Sequence, residues 1–371
     1  MAHPDPPVTR VGVVADFLEE RWPSMELAAE LTVRALEGGP FPPVLLRPTL
    51  PRLGAPHNVE RYVGRYAVYP RWLRRTRHGV DLFHVIDHSY AHLVHALPAA
   101  RTVVTCHDLD AFRSVSGAER EARPPWFRWT MRRVLAGLRA AAHVVCDSRA
   151  VRDQLAADGL VPAARSTVVP LPVHPDFGPA PDARADARAA ELLGPRAHPE
   201  LLHVGANVPR KRIPFVLEAA AAVRERRPGA RLVRVGGALT TEQRARAERL
   251  GLPVAELPPL ERPVLAAVYR RAHALLLPSE REGFGWPVLE AMACGTPVVA
   301  SSALPTVRET GGDAVLYAAP EDARAWADAV DLLLGGAAPP AEALRRAAGF
   351  TVAAYASGLA EVYGRVPRGA G

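Results

Sequence analysis

Residues 274–301 constrain this chain more than any other stretch. The apolar run Ala274–Leu277 leads through Pro278-Ser279 into Glu282-Gly-Phe-Gly-Trp-Pro-Val-Leu-Glu290, which continues Ala-Met-Ala-Cys-Gly295 and closes on the apolar run Thr296–Ser301. Short apolar runs bounded by turn residues predict buried strands, and the segment between them predicts a helix over Pro287–Ala293. Pro287 suits the first helical position, where a missing N–H costs nothing. Gly283 and Gly285 allow positive φ and close approach of a ligand to the backbone. The first-turn N–H groups, expected around Val288 and Leu289, lack intrahelical partners, so this helix end suits an anion. Glu282 precedes the turn and Glu290 lies about one helical turn inside it. Two carboxylates that bind polyols would then flank a phosphate, a layout that fits sugar, diphosphate and ribose.

The same alternation runs along the whole chain. Apolar runs at Val11–Ala15, Leu82–Ile86, Thr102–Thr105 and His143–Cys146 predict strands, with helices over Met25–Leu36, Ala91–Leu97, Trp126–Ala142 and Ala150–Ala157. A second series starts at Leu201, with strands over Leu201–Val204, Leu232–Val235, Ala274–Leu277, Thr296–Ser301 and Ala314–Tyr317. Helices are predicted over Pro214–Arg226, Thr241–Leu250, Arg262–Ala272 and Asp322–Leu334, while Asp182–Arg196 reads as a short helix or a loose insertion. Strand–helix alternation implies α/β, doubly wound domains with ligands at the carboxyl ends of the strands. Pro-rich Val168–Gly178 reads as a linker, so the expected division is 1–172, 173–349 and a terminal segment 350–371.

Composition excludes several classes. The 371 residues suffice for two domains, and no apolar run approaches the roughly 18 residues of a membrane span. Met1-Ala-His-Pro-Asp-Pro-Pro7 lacks the basic and apolar regions of an export signal. Cys106, Cys146 and Cys294 form no Cys-x-x-Cys pair, which argues for a reducing cytoplasm and against structural zinc. Residues 1–172 hold 22 Arg against 17 Asp and Glu, so most of the net charge of +7 is N-terminal, yet no nucleic-acid module accompanies it. No strand is followed by Gly-x-Gly-x-x-Gly, which counts against a nicotinamide-dependent oxidoreductase.

The run from Pro278 through Ala300 resembles the retaining family 4 glycosyltransferases, whose GT-B fold sets two Rossmann-like domains facing a cleft. The resemblance implies an N-terminal acceptor domain, a C-terminal nucleotide-sugar domain and a last helix that crosses back. It assigns donor-sugar hydroxyls to Glu282, ribose hydroxyls to Glu290 and backbone amides to Phe284 and Gly285. Lys211, the chain's only lysine, matches the family's diphosphate-binding lysine after a Val-Gly turn. The family often has arginine where Ala206 stands, and Arg210 is the candidate for the second charge. Gly236 matches a glycine near the nucleotide, and His107, at the end of a strand, matches a histidine that reaches the donor sugar. Lysine and a helix end would neutralise the phosphates, so no metal is expected at Asp108-Leu-Asp110. His88 and His92, spaced i, i+4, are the other metal candidates, without a third ligand.

Where the family has a Gly-Gly loop, this chain has Asp16–Met25, which leaves the acceptor open. Trp22 and Ser24 there, with Asp87 and His88 in a strand–helix loop, are the acceptor-side candidates, and His92 and His95 are expected on a helix surface. Asp147-Ser148 reads as a helix cap. The resemblance implies a nucleoside-diphosphate sugar (UDP-, GDP- or ADP-) as donor and a glycan or lipid-linked acceptor in cell-envelope glycan, glycolipid or exopolysaccharide synthesis. A catalytically silent nucleotide-sugar binder is the alternative. A glycogen-phosphorylase-like enzyme would need a second lysine for pyridoxal. Arginine mixed with aromatics at Arg61–Arg77 and Trp126–Arg133 suits an anionic membrane surface, and equally a helix whose aromatics face the core.

Overall fold

A computed structural model describes residues 9–116, 122–337 and 340–367; the N-terminal heptapeptide weighed as an export signal lies outside them. The chain divides into two compact units, Met1–Pro172 with Val352–Gly371, and Val173–Thr351.

The first unit is built on six parallel strands, β1 (Val11–Val14), β2 (Pro43–Leu46), β3 (Leu82–Val85), β4 (Thr102–Cys106), β5 (His143–Cys146) and β6 (Ser166–Val168), in the order β2-β1-β3-β4-β5-β6. β1, β3, β4 and β5 are buried along their whole length, which is why they read as unbroken apolar runs. The segment after β3 forms a 3₁₀ helix over His88–Ala96, capped by the Asp87 carboxylate on the Ser89 N–H, where a helix over Ala91–Leu97 was expected. Three residues per turn remove the i, i+4 alignment of His88 and His92. Helix Pro125–Ala140 presses backbone to backbone on it: a Cβ on Gly137 would lie 2.0 Å from the Ala91 carbonyl oxygen. Helix Val352–Arg365 is tied into this unit by Tyr355 on Thr32 (3.0 Å) and Tyr363 on His84 Nδ1 (2.7 Å).

The second unit repeats the plan with β7 (Glu200–Val204), β8 (Arg231–Val235), β9 (Val254–Leu257), β10 (Ala274–Leu277), β11 (Val298–Ser301) and β12 (Leu316–Ala318), ordered β12-β11-β10-β7-β8-β9 and parallel throughout. Asp182–Arg196 resolves into helix Ala183–Leu193, capped by Asp182. Helices Pro305–Gly311 and Pro340–Ala347 were not expected, nor were the outer strands β2, β6 and β9. In each sheet the order of strand addition reverses beside the first strand, and in such sheets ligands gather at the carboxyl ends of the strands next to that point.

Candidate active site

The turn after β10 is built as the sequence predicts, with one correction. Gly285 adopts φ 90° and caps helix Trp286–Ala293, and a Cβ there would lie 3.0 Å from Val307. The Val288 and Leu289 N–H groups, expected to be free for an anion, both donate to the Gly285 carbonyl, at 2.9 and 3.3 Å. The cap carbonyl turns inward over the helix start and consumes them. Two side chains on helix Pro305–Gly311 hold the rest of the turn: the Thr306 hydroxyl donates to the Glu282 carbonyl and the Thr310 hydroxyl to the Phe284 carbonyl, each at 2.7 Å. Phe284 is buried edge-on against Phe350.

Three of the predicted residues meet in this turn. Lys211 Nζ lies 2.5 Å from Glu282 Oε1, and Arg210 Nη1 lies 3.4 Å from Glu282 Oε2 while donating to the Arg281 carbonyl at 3.0 Å. The Lys211 and Glu282 side chains are both buried. Burial alone would raise the Glu282 carboxyl, but Lys211 and then Arg210 outweigh it and hold it below its ordinary value. Glu290, on the first turns of the helix, accepts from the Tyr269 hydroxyl at 2.8 Å; burial pushes it up to about 7 against that bond and the more distant Arg262 and Lys211. Gly236 has φ 101°, and a Cβ there would lie 2.9 Å from the Gly205 carbonyl oxygen.

In the first unit His107 follows β4 and is buried. Its Nδ1 donates to Asp147 Oδ2 at 2.6 Å and its Nε2 to the Ile86 carbonyl at 2.9 Å. Two acceptors require two ring protons, so the ring is an imidazolium. Burial disfavours that charge, but Asp147, with Asp87 and Asp108 beyond it, lifts His107 to about 9. Asp147 was read as a cap; the cap on helix Arg149–Ala157 is Ser148, and Asp147 is the histidine's partner. A separation of 40 residues left no local signal for that pair.

His88 stands between two carboxylates, Nδ1 3.5 Å from Asp87 and Nε2 3.5 Å from Asp108, and its ring centre is 6.3 Å from that of His107. Asp108 also accepts the Asp110 N–H at 2.9 Å. Asp87 adjoins Asp16, the first residue of the loop that replaces the family's glycines. Burial, and then the neighbouring Asp87 carboxylate, raise Asp16 well above its ordinary value. Trp22 and Ser24 are exposed at the start of helix Pro23–Leu36. His92 is buried instead of lying on a helix surface: Nε2 donates to the Arg65 carbonyl at 2.8 Å and the ring packs on Tyr66. The tryptophans divide, with Trp126 and Trp129 exposed at 60% and 59% while Trp72 leans on the core.

Comparison with known proteins bears on the family and the fold. Residues 18–177 match the profile of Glycosyltransferase Family 4, and residues 189–348 match that of Glycosyl transferases group 1. A D-inositol 3-phosphate glycosyltransferase from Actinosynnema mirum is 31% identical, over 83% of this chain and 75% of its own. Several other relatives of that name are longer, and the chain spans only 60–63% of their length. Among solved structures, sucrose-phosphate synthase from Thermosynechococcus elongatus superposes with a TM-score of 0.74 at 20% identity, covering 96% of this chain and 98% of that one. HepE from Anabaena, in complex with UDP and glucose, superposes at 0.73 and 18% identity, covering 96% and 99%. The chain belongs to the family 4 glycosyltransferases, with a GT-B fold of two Rossmann-like domains.

Proposed function

We propose that the chain transfers a sugar from a nucleoside-diphosphate donor to an acceptor hydroxyl with retention at the anomeric carbon. The observation that carries this reading is the convergence of Lys211, Arg210 and Glu282 on the turn after β10, with Glu290 on the helix it starts. Lys211 and Arg210 neutralise the leaving diphosphate, Glu282 and the amides of Phe284 and Gly285 hold the sugar, and Glu290 holds the ribose. The acceptor attacks on the face the nucleotide leaves, a diphosphate oxygen takes its proton, and the protein contributes positioning and charge stabilisation. Both ring nitrogens of His107 are engaged, by Asp147 and by the Ile86 carbonyl, so neither is free to accept a proton. The UDP and glucose held by HepE make UDP-sugars the first donors to test.

Two acceptor classes follow from different observations. The relatives' name points to an inositol phosphate. The exposed Trp126 and Trp129, on a helix that also carries Arg128, Arg132 and Arg133, point to a lipid-linked acceptor at an anionic membrane surface, in envelope glycan or exopolysaccharide synthesis. No helix among the described residues is long and apolar enough to cross a membrane. Incubation with UDP-, GDP- and ADP-sugars against inositol 3-phosphate and against lipid-linked sugars in anionic vesicles tests both, read as nucleotide release and product anomer. Release should persist in EDTA and give a product of retained configuration. An inverted product, or no release with any pair, would sink the reading, the latter in favour of a silent nucleotide-sugar binder.

A further inference from the structure

Beside the donor turn, β7 and β8 bury a polar pair that the donor reading leaves unused. His203 and Arg234 lie in register on these strands, both without exposed surface, and Glu256 on β9 continues the row. Glu256 is already taken up by Arg244 and by the Leu239 N–H. Arg234 Nη1 donates to the carbonyls of Gly237 (2.7 Å) and Gly205 (3.4 Å), while its Nε and Nη2 have no hydrogen-bond partner among the described residues. Neither ring nitrogen of His203 has one either. A buried guanidinium with idle donors is unfavourable on its own, and burial lowers its proton affinity with only Glu256 opposing.

Those two bonds orient backbone. A trans peptide keeps its C=O and N–H antiparallel, so turning the Gly205 and Gly237 carbonyls onto Arg234 aims the Ala206 and Ala238 N–H groups away from it. The two turns are braced against each other. Gly236 abuts Gly205, Asn207 Nδ2 donates to the Ala238 carbonyl at 2.9 Å, and Gln243 Nε2 donates to Asn207 Oδ1 at 3.0 Å. Lys211 lies along the same place, since a Cβ on Gly205 would meet its Cε at 3.2 Å. Amides presented together by paired turns, with one cation beneath and another beside them, form an anion-binding concavity.

We propose that Arg234 is the positioning residue of a phosphate cradle made by residues 205–207 and 236–238, which takes the diphosphate of the donor. It acts without touching the ligand, by holding two carbonyls inward and by supplying a buried counter-charge where Ala206 supplies none. The inference rests on the donor reading above and adds to it a residue on a central strand.

Calorimetric titration of pyrophosphate, UDP and uridine into wild type, Arg234→Met, Arg234→Lys and Lys211→Ala, with ligand-free melting of each, tests it. Arg234→Met should lose at least about tenfold in affinity for pyrophosphate and UDP and keep its uridine affinity, whatever the loss of two carbonyl bonds does to its melting temperature. Arg234→Lys keeps the charge but loses the planar, pre-organised fork, and should fall between. Unchanged pyrophosphate and UDP affinity in Arg234→Met or Arg234→Lys would overturn the inference. So would a lowered melting temperature with equal loss for UDP and uridine, which marks a merely structural arginine. If Lys211→Ala loses UDP while Arg234→Met keeps it, the donor reading survives and the cradle does not. Wild type that binds neither pyrophosphate nor UDP sinks both.

Discussion

His107 shows how a single residue's chemistry is set by a partner far along the chain. Both ring nitrogens donate, to Asp147 and to the Ile86 carbonyl, so the folded state holds the ring protonated up to about 9. An unperturbed histidine loses its proton near 6.5. The raised value means the contribution to stability is complete below about 6.5 and is lost as pH rises through about 9, by a total on the order of 3 kcal/mol. Urea unfolding between pH 6 and 9.5 should show that decline, and Asp147→Asn should flatten it; an Asp147→Asn protein with the wild-type pH profile would show that the carboxylate does not hold the proton. The histidine was legible as a strand-end residue from the apolar run before it. Its partner was not, because Asp147 precedes a serine at a helix start and looks like part of a cap, and only tertiary structure brings β4 and β5 together in register.

At the scale of elements, the turn 282–285 depends on a helix that carries no motif of its own. Thr306 and Thr310 on helix Pro305–Gly311 satisfy the carbonyls of Glu282 and Phe284, fixing the loop from behind. Replacing both by valine keeps shape but leaves two carbonyls unpaired, at about 1–3 kcal/mol each. Nucleotide-sugar affinity and melting temperature should therefore fall together in the double variant; full retention of both would mean the turn holds its shape unaided. That helix escaped sequence reading because Thr, Gly and a lone apolar Val307 give no 3.6-residue stripe over seven residues. The interior strands were readable because both faces are buried. Outer strands β2 (Pro-Val-Leu-Leu) and β9 (Val-Ala-Glu-Leu) are only four residues long and half-buried, too short for a period of two to stand out. The 3₁₀ helix after β3 is dense in histidine and apolar residues, and its composition does not distinguish three residues per turn from 3.6.

On the scale of the whole molecule, helix Val352–Arg365 completes the first unit rather than the second, although it follows the second in sequence. Its Tyr363 hydroxyl meets His84 inside the sheet, and burial keeps that histidine neutral, at about 3. Tyr363→Phe strands a buried ring nitrogen and should cost about 1–3 kcal/mol of unfolding free energy, measured by denaturant titration; no loss would mean the contact contributes nothing net. The overall plan was readable from alternating strands and helices, and the candidate donor residues from Lys211 and the motif over 282–290. The Lys211–Glu282 ion pair was not, since the two residues lie 71 positions apart and only the fold brings them together. The measurement that bears most directly on the account is calorimetry of UDP, GDP and ADP with wild type, Lys211→Ala and Glu290→Ala. Wild type should bind at least one of them, and each variant should lose about 1.5–3 kcal/mol of that binding, as expected for a charged hydrogen bond removed. Wild-type affinity in the Lys211→Ala protein would contradict the assignment of the donor site.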